Sequence, residues 1–412
     1  MSDRSTKREN GFSLLEMAIA LGLGTLVLGA AVQIYTQGVG ATWTASQRAE
    51  MQQDFRAASD MLTKDLSMAG AGLGNGAAIA LPASSSSPVY GCASVSGTNT
   101  CYINGGSVAY PTQGTTPYMY GLLPGPQKGP LFGPSSGLSD VVTVVYTDSA
   151  FYLDCYAASV ASATTVTFTL TTTSQASPNC TNNGATIQAI GNLVNGLTAG
   201  DLVLFNISTA STCPAHTTCP SAPESVVAEV TGVSGSTVTF ASGDPLNMNQ
   251  PSATSGNLPY VAGAAALTIP YYSGTATRIL AISYYLDTTV SPPRLMRQVS
   301  GHTPMPLVDN VVYLQFTYDL FNDANMTAAV QCHNPGAVSD GCLVPGSSTG
   351  LLPNQITKIN IAHMSMSSMA SGSTVLSGTK GGYQGLDLET SVSARNLTYS
   401  NNYQCTSNCT SN

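Results

Sequence analysis

Four sets of residues in this chain have types and spacings that could do chemistry. The first is a single carboxylate, Glu16, set inside the apolar run from Phe12 to Tyr35 and preceded by Arg4, Lys7, Arg8 and Gly11. A charge in such a run raises the cost of membrane insertion by about 2.5–3.5 kcal/mol, and it normally marks a function and needs a partner. The second set is ten cysteines that fall into neighbours along the chain: Cys92 with Cys101, Cys155 with Cys180, Cys213 with Cys219, Cys332 with Cys342, and Cys405 with Cys409. An even count in Gly/Ser/Thr-rich loops reads as local disulfides formed outside the cytoplasm. The third is Cys213-Pro-Ala-His216-Thr-Thr-Cys219, with two thiolates and an imidazole, three of the four ligands of a structural zinc. No fourth ligand lies nearby, and a disulfide-closed loop with an incidental histidine is the favoured reading. The fourth is Asp319, Asn322, Asp323 and Asn325, hard oxygen ligands that would suit Ca²⁺. They lack the central glycine and terminal glutamate of an EF-hand, and a polar hairpin loop explains them equally well.

Nothing in the chain reads as catalytic. It has no H-E-x-x-H or phosphate-binding loop. The four histidines, His216, His302, His333 and His363, are scattered, and His363 lies in an alternating run where it reads as a residue of one strand face. The expectation is a protein that is not an enzyme and has no cofactor beyond the Ca²⁺ candidate.

Composition narrows the class. Of 412 residues only 8% are charged, and the formal net charge is −8. Between Lys128 and Arg278 there is no Lys or Arg, while Asp140, Asp148, Asp154, Asp201, Glu224, Glu229 and Asp244 all fall there. A surface of that kind repels nucleic acid, whose binding depends on Lys and Arg displacing counterions, so no direct nucleic-acid partner is expected.

The elements that must position these residues begin with the apolar run. Phe12 to Tyr35 is long enough, at about 1.5 Å per residue, to span a hydrocarbon core of about 30 Å. The basic residues before it leave a short leader in the cytoplasm and the rest of the chain outside. No later stretch has comparable apolar length. A secretory signal cut near Ala31 and a plain signal anchor both fit this outline, but neither accounts for Glu16. A carboxylate near a helix N-terminus also benefits from the helix dipole. Beyond the span, Met51, Phe55, Ala58, Leu62, Leu66 and Ala69 recur every three or four positions, one stripe of an amphipathic helix. Arg56 with Asp60 and Asp60 with Lys64 are i,i+4 pairs on its polar side. Gly70-Ala71-Gly72-Leu73-Gly74 then ends it. Joined, the two segments make one helix of about 58 residues, about 87 Å long.

Gly11-Phe12-Ser13-Leu14-Leu15-Glu16 resembles the type III signal of type IV prepilins and pseudopilins: a basic leader ending in glycine, an aromatic residue first in the mature chain, and glutamate four residues later. The resemblance implies that a membrane aspartyl peptidase cuts between Gly11 and Phe12 and methylates the new amino group of Phe12. Glu16 would then meet the amine of a neighbouring subunit inside a filament. Many pilins carry a proline within the span. None occurs here before Pro82, and Gly22, Gly24, Gly29, Gly38 and Gly40 would supply local flexibility instead.

The remainder reads as β structure. Residues 71–136 are loop-rich and closed by cysteines. From Asp140 on, VVTVVYTDSAFYLDCY, TTVTFTLTTT, GDLVLFNIS, ESVVAEVTGV and STVTFAS are short strand-like runs between Gly, Asn and Ser turns. TTVTFTL and STVTFAS look alike, but one weak similarity does not make a repeat. From about residue 263 the order of fragments resembles PilW-type minor pilins and the related J-type pseudopilins: a tyrosine-rich strand, "L-x-R" at Leu295 to Arg297, "P-L-V-D-x-V" at Pro306 to Val311, and Arg395-Asn396.

The expected fold is α+β and pilin-like, a long N-terminal helix with a C-terminal antiparallel β domain and a β-rich insertion. Its expected parts are a cleaved leader (1–11), a transmembrane or filament-core helix (12–35), its amphipathic second half (36–70), a disulfide-closed loop segment (71–136), the β-rich insertion or small subdomain (137–262) and the pilin-type β domain with its disulfide-closed tail (263–412). The resemblance implies a minor pilin that primes pilus assembly near the tip and supports twitching, adhesion or DNA uptake. The implied partners are prepilin peptidase, other minor pilins, the major pilin and an inner-membrane assembly platform. The implied location is the inner membrane, with the C-terminal domain in the periplasm, and later an extracellular pilus. A J-type pseudopilin of type II secretion and a membrane-anchored β-rich adhesin that never polymerises are the alternatives.

Overall fold

The computed structural model describes residues 13–397 apart from 74–77, 83–86, 91, 96–97, 102–107, 114, 130–137, 152, 154–155, 163, 171–188, 193–195, 208–223, 251, 254–255, 259–267, 270–273, 291, 323–326, 334–351 and 368–384. Gly11, Phe12, Cys155, Cys180, Cys213, His216, Cys219, Asp323, Asn325, Cys342, Cys405 and Cys409 lie outside the described residues.

One α-helix runs from Leu14 to Ser67, 54 residues without a break. The absence of proline and the strong helix formers of its second half make this continuity possible. The predicted stripe is real: Met51, Phe55, Ala58, Leu62, Leu66 and Ala69 are all buried. Gly70 stops the helix with φ +78, a left-handed conformation that disfavours any residue with a Cβ. A Cβ there would also lie 2.6 Å from Cδ2 of Leu397. The chain divides into two compact units, and the division falls inside this helix, after Asp54. Among the described residues the first unit is the helix up to that point, and the second is everything from Phe55 on.

The second unit is a set of antiparallel sheets, which with the helix makes the fold α+β as expected. Its spine is the 14-residue strand Gly274–Asp287. Ile279 of that strand pairs with Leu202 and with Thr147, and Ile282 with Val144 and Val299. Strands Leu202–Ile207, Arg294–Val299 and Val141–Thr147 therefore all pair with it, and Leu122–Gly125, Glu224–Glu229 and Met305–Asp309 complete a seven-stranded sheet. A second sheet of four strands has the order Thr327–Cys332, Val311–Asn322, Ile356–Ser367, Gly385–Ser393.

Residues 137–262 do not form a separate block. Val141–Thr147, Leu202–Ile207 and Glu224–Glu229 join the seven-stranded sheet, while Tyr156–Ser162, Thr165–Leu170, Gly232–Ser234 and Thr237–Thr239 build a five-stranded sheet with Thr268–Ile269. The two similar runs are neighbours there, with Thr165, Val166 and Thr167 facing Thr239, Val238 and Thr237. Val166, Phe168, Val238 and Phe240 share one apolar core with Val203, Phe205, Val226 and Ala228 of the larger sheet. Burying one face of each sheet against the other removes both from water, which is why the insertion packs rather than standing apart.

The acidic stretch is largely internal. Asp140, Asp201, Glu229 and Asp244 are buried, and Asp148 pairs with the guanidinium of Arg278. Each buried carboxylate takes backbone N–H donors: Gln127 and Phe316 on Asp140, Thr198 on Asp201, Leu246 on Glu229, and Met248 and Asn249 on Asp244. The surface of this stretch is thus less acidic than its composition implies, because its carboxylates tie down loops.

Candidate functional site: the N-terminal segment and the helix–sheet joint

The helix starts with a reciprocal pair. Ser13 N–H donates to Oε2 of Glu16 at 3.0 Å, and Glu16 N–H donates to Oγ of Ser13 at 3.2 Å. This is a capping box, in which two of the unpaired donors of the first turn are satisfied at once, and the carboxylate lies at the positive end of the helix dipole. The signal Ser-x-x-Glu ahead of an apolar run is present in the sequence, and reading Glu16 only for its charge passes over Ser13. Among the described residues Oε1 of Glu16 takes no bond, so one carboxylate oxygen is open to a further cation or donor.

The rest of the first half is bare. Leu14, Leu15, Met17, Ile19, Leu21, Leu23, Leu26, Val27, Leu28, Val32 and Ile34 are all exposed. The helix is long and apolar enough to cross a membrane. At Gly22, Gly24, Gly29, Gly38 and Gly40 a Cβ would meet nothing within 4 Å, so their small size serves no packing in the described residues.

At the other end of the helix, Asp65 is the hinge of a polar cluster. Its Oδ2 accepts from Tyr284 Oη at 2.6 Å and from Arg297 Nε at 3.0 Å, and its Oδ1 accepts from Tyr146 Oη at 3.4 Å. Burial and the Asp65 carboxylate push the Tyr146 phenol up to about 12 and Tyr284 higher still. Burial opposes the Arg297 charge, but Asp65 and Tyr284 together raise the guanidinium pKa. The sequence reading missed Asp65. Its signal was a carboxylate beside the buried Leu62 and Leu66, where a charge needs a partner.

The fragments at the C-terminal end of the sequence now have physical roles. Leu295 is buried in the seven-stranded sheet and Arg297 holds the helix through Asp65. Pro306 to Val311 covers a strand end and the turn into the next strand, with Asn310 at φ 66 and Val308 and Val311 buried. Asn396 donates from Nδ2 to the carbonyl of Ser67 at 3.3 Å, which satisfies a free C=O of the last helical turn.

Other predicted residues are placed as follows. Cys92 and Cys101 face each other in an antiparallel hairpin, and Cys332 is buried and disulfide-bonded. Oδ1 of Asp319 accepts from Gln331 N–H at 2.9 Å and Asn360 Nδ2 at 3.2 Å, and its Oδ2 lies 3.7 Å from Lys358 Nζ. Its carboxylate is therefore already engaged, and Asn322 ends the same strand. The three described histidines, scattered in sequence, each meet an aspartate: His302 with Asp201, His333 with Asp140, His363 with Asp387.

Residues 6–32 match the family model of the prokaryotic N-terminal methylation motif. No curated protein sequence and no solved structure matches the chain. The chain therefore carries a type IV pilin-like prepilin signal, the mark of a pilin-like or pseudopilin protein. That signal implies processing by prepilin peptidase, use of pilus-type assembly machinery, and membrane anchoring through the apolar helix.

Proposed function

We propose that this protein is a minor pilin of a type IV pilus, of the PilW kind, that primes assembly and sits near the tip. The observation that carries the reading is the methylation motif at residues 6–32, which includes the start of a 54-residue helix followed by a large β-rich domain. A head of that size is bulky for a subunit stacked thousands of times, and it suits a position used once per filament. The cut falls between Gly11 and Phe12, the amine of Phe12 is methylated, and the open oxygen of Glu16 meets the amine of a neighbouring subunit. The head then faces the periplasm before assembly and the exterior afterwards.

The test has two arms. Mass spectrometry of the mature protein should find N-methyl-Phe12 at its start; an intact Met1 end or a cut near Ala31 sinks the pilin reading. Deleting the gene should reduce surface pili and twitching. Normal piliation with loss of protein secretion would instead assign the chain to a type II secretion pseudopilus, which uses the same signal.

A further inference from the structure

We propose that His363, Asp387 and Glu389 form a binding site for a first-row divalent cation such as Zn²⁺, on the outer face of the four-stranded sheet. Strands Ile356–Ser367 and Gly385–Ser393 run antiparallel, and their register slips once. Ile361 faces Thr390 and Met364 faces Leu388, so Ala362 and His363 together oppose the single residue Glu389. On the other side, the pairing with Val311–Asn322 passes from Gln315–His363 to Phe316–Ile361, leaving Ala362 as the extra residue there too. A bulge of this kind re-aims the side chain that follows it. Ile361, Met364 and Met366 remain buried, and the imidazole of His363 comes to the outer face beside two carboxylates.

The ligand atoms converge. Nδ1 of His363 lies 3.0 Å from Oδ2 of Asp387 and 3.8 Å from Oε1 of Glu389. All three ligand atoms are within 4.8 Å of one another. Bonds of about 2.0–2.2 Å from zinc to nitrogen and oxygen put tetrahedral ligand atoms roughly 3–3.5 Å apart, so small side-chain rotations suffice. Supporting groups are in place: Ser365 Oγ donates to Oδ1 of Asp387 at 2.9 Å, which leaves Oδ2 for the cation, and the Tyr313 ring packs beside the imidazole. Without a cation, the Nδ1–H of His363 donates to Asp387. With one, the proton is carried on Nε2 and the Nδ1 lone pair binds the metal.

Charge and ligand type choose the ion. A neutral imidazole and two carboxylates carry −2, which a divalent cation neutralises. The nearby ammonium of Lys358 is held by Asp319. Imidazole favours Zn²⁺ and its first-row neighbours over Ca²⁺ or Mg²⁺, which prefer all-oxygen sites. His363 and Glu389 also line an open groove of ≈ 820 Å³ with Thr317, Asn360, Thr390 and Ser391, so water or a partner's acceptor groups can complete the coordination.

The experiment is calorimetric titration of the full-length mature protein in detergent with zinc chloride, and with calcium chloride in parallel. One zinc equivalent should bind, with calcium at least tenfold weaker. His363→Ala and Glu389→Gln should each weaken zinc at least tenfold while their thermal unfolding without metal matches the parent, as expected for exposed side chains. Zinc bound equally by parent and His363→Ala overturns the site, as does no zinc binding by the parent. A His216→Ala variant should bind like the parent; loss of zinc there would place the ion on the Cys213–Cys219 loop and overturn the proposal. Substituting Co²⁺ and reading its visible spectrum in parent and His363→Ala gives a second check, because a nitrogen ligand lost from the cobalt shifts the bands.

Discussion

Nε of Arg297, in the middle of a sheet strand, lies 3.0 Å from Oδ2 of Asp65 in the last turns of the helix. The same oxygen accepts from Tyr284, and together these bonds hold the C-terminal part of the helix on the seven-stranded sheet. Asp65 is the shared acceptor, so its removal leaves the Arg297 guanidinium without its counter-charge and the Tyr284 phenol without its acceptor. Asp65→Ala should lower unfolding stability by about 3 kcal/mol, the low end for breaking a buried ion pair from one side. Urea unfolding followed by tyrosine fluorescence measures it. A double change of Asp65→Leu with Arg297→Met should recover much of the loss, since no charge is then left unpaired. No recovery would show that shape rather than charge holds the joint.

Glu229 gives the protein a pH dependence of unusual sign for a carboxylate. It is fully buried, and burial, followed by its hydrogen bond to and repulsion from Asp244, pushes its pKa up to about 10 from an ordinary 4.5. Between those values the folded chain holds a proton that the unfolded chain has released. Stability from this group is therefore complete below pH 4.5 and falls as pH rises towards 10. Glu229→Gln mimics the protonated form, so its melting temperature should change less than the parent's between pH 6 and pH 9. Parallel curves for the two proteins would mean that Glu229 is ionised in the fold.

The capping role of Glu16 and its proposed pairing with a neighbouring subunit can be separated by one substitution. Glutamine at position 16 retains an acceptor for Ser13 N–H and so retains the capping box, but it carries no charge. Glu16→Gln should insert and be cleaved normally yet be lost from sheared filaments. Ser13→Ala should weaken the helix start by about 1 kcal/mol and leave incorporation largely intact. Incorporation of Glu16→Gln at the parent level would mean that the carboxylate serves the helix alone.

The cysteines should close local loops. Peptide mapping without reduction should link Cys92 to Cys101, which already face each other across a hairpin, and join the other four neighbouring pairs in the same way. A free thiol, or a link between distant pairs, would contradict the oxidised local framework and reopen the Cys213–Cys219 loop as a metal ligand set.

What the sequence determined by itself was everything whose cause is local. The charges, glycine, phenylalanine and glutamate of the N-terminal signal lie within a few residues of one another. The helix follows from a 3.6-residue period without proline, and the strands from alternation between turn residues. Even the capping box was legible, since Ser13 and Glu16 are three residues apart. Tertiary structure alone decided which distant groups meet. Asp65 and Arg297 are separated by 232 positions, and His333 and Asp140 by 193. Strand order and register bring them together, and these are settled by the burial of whole sheet faces rather than by any neighbour in the chain. The extra residue at Ala362 shows the limit most sharply. The slip at Ala362 decides whether His363 falls on the buried face of Ile359 and Ile361 or stands outside with Asp387 and Glu389, and that slip exists only once three strands have paired.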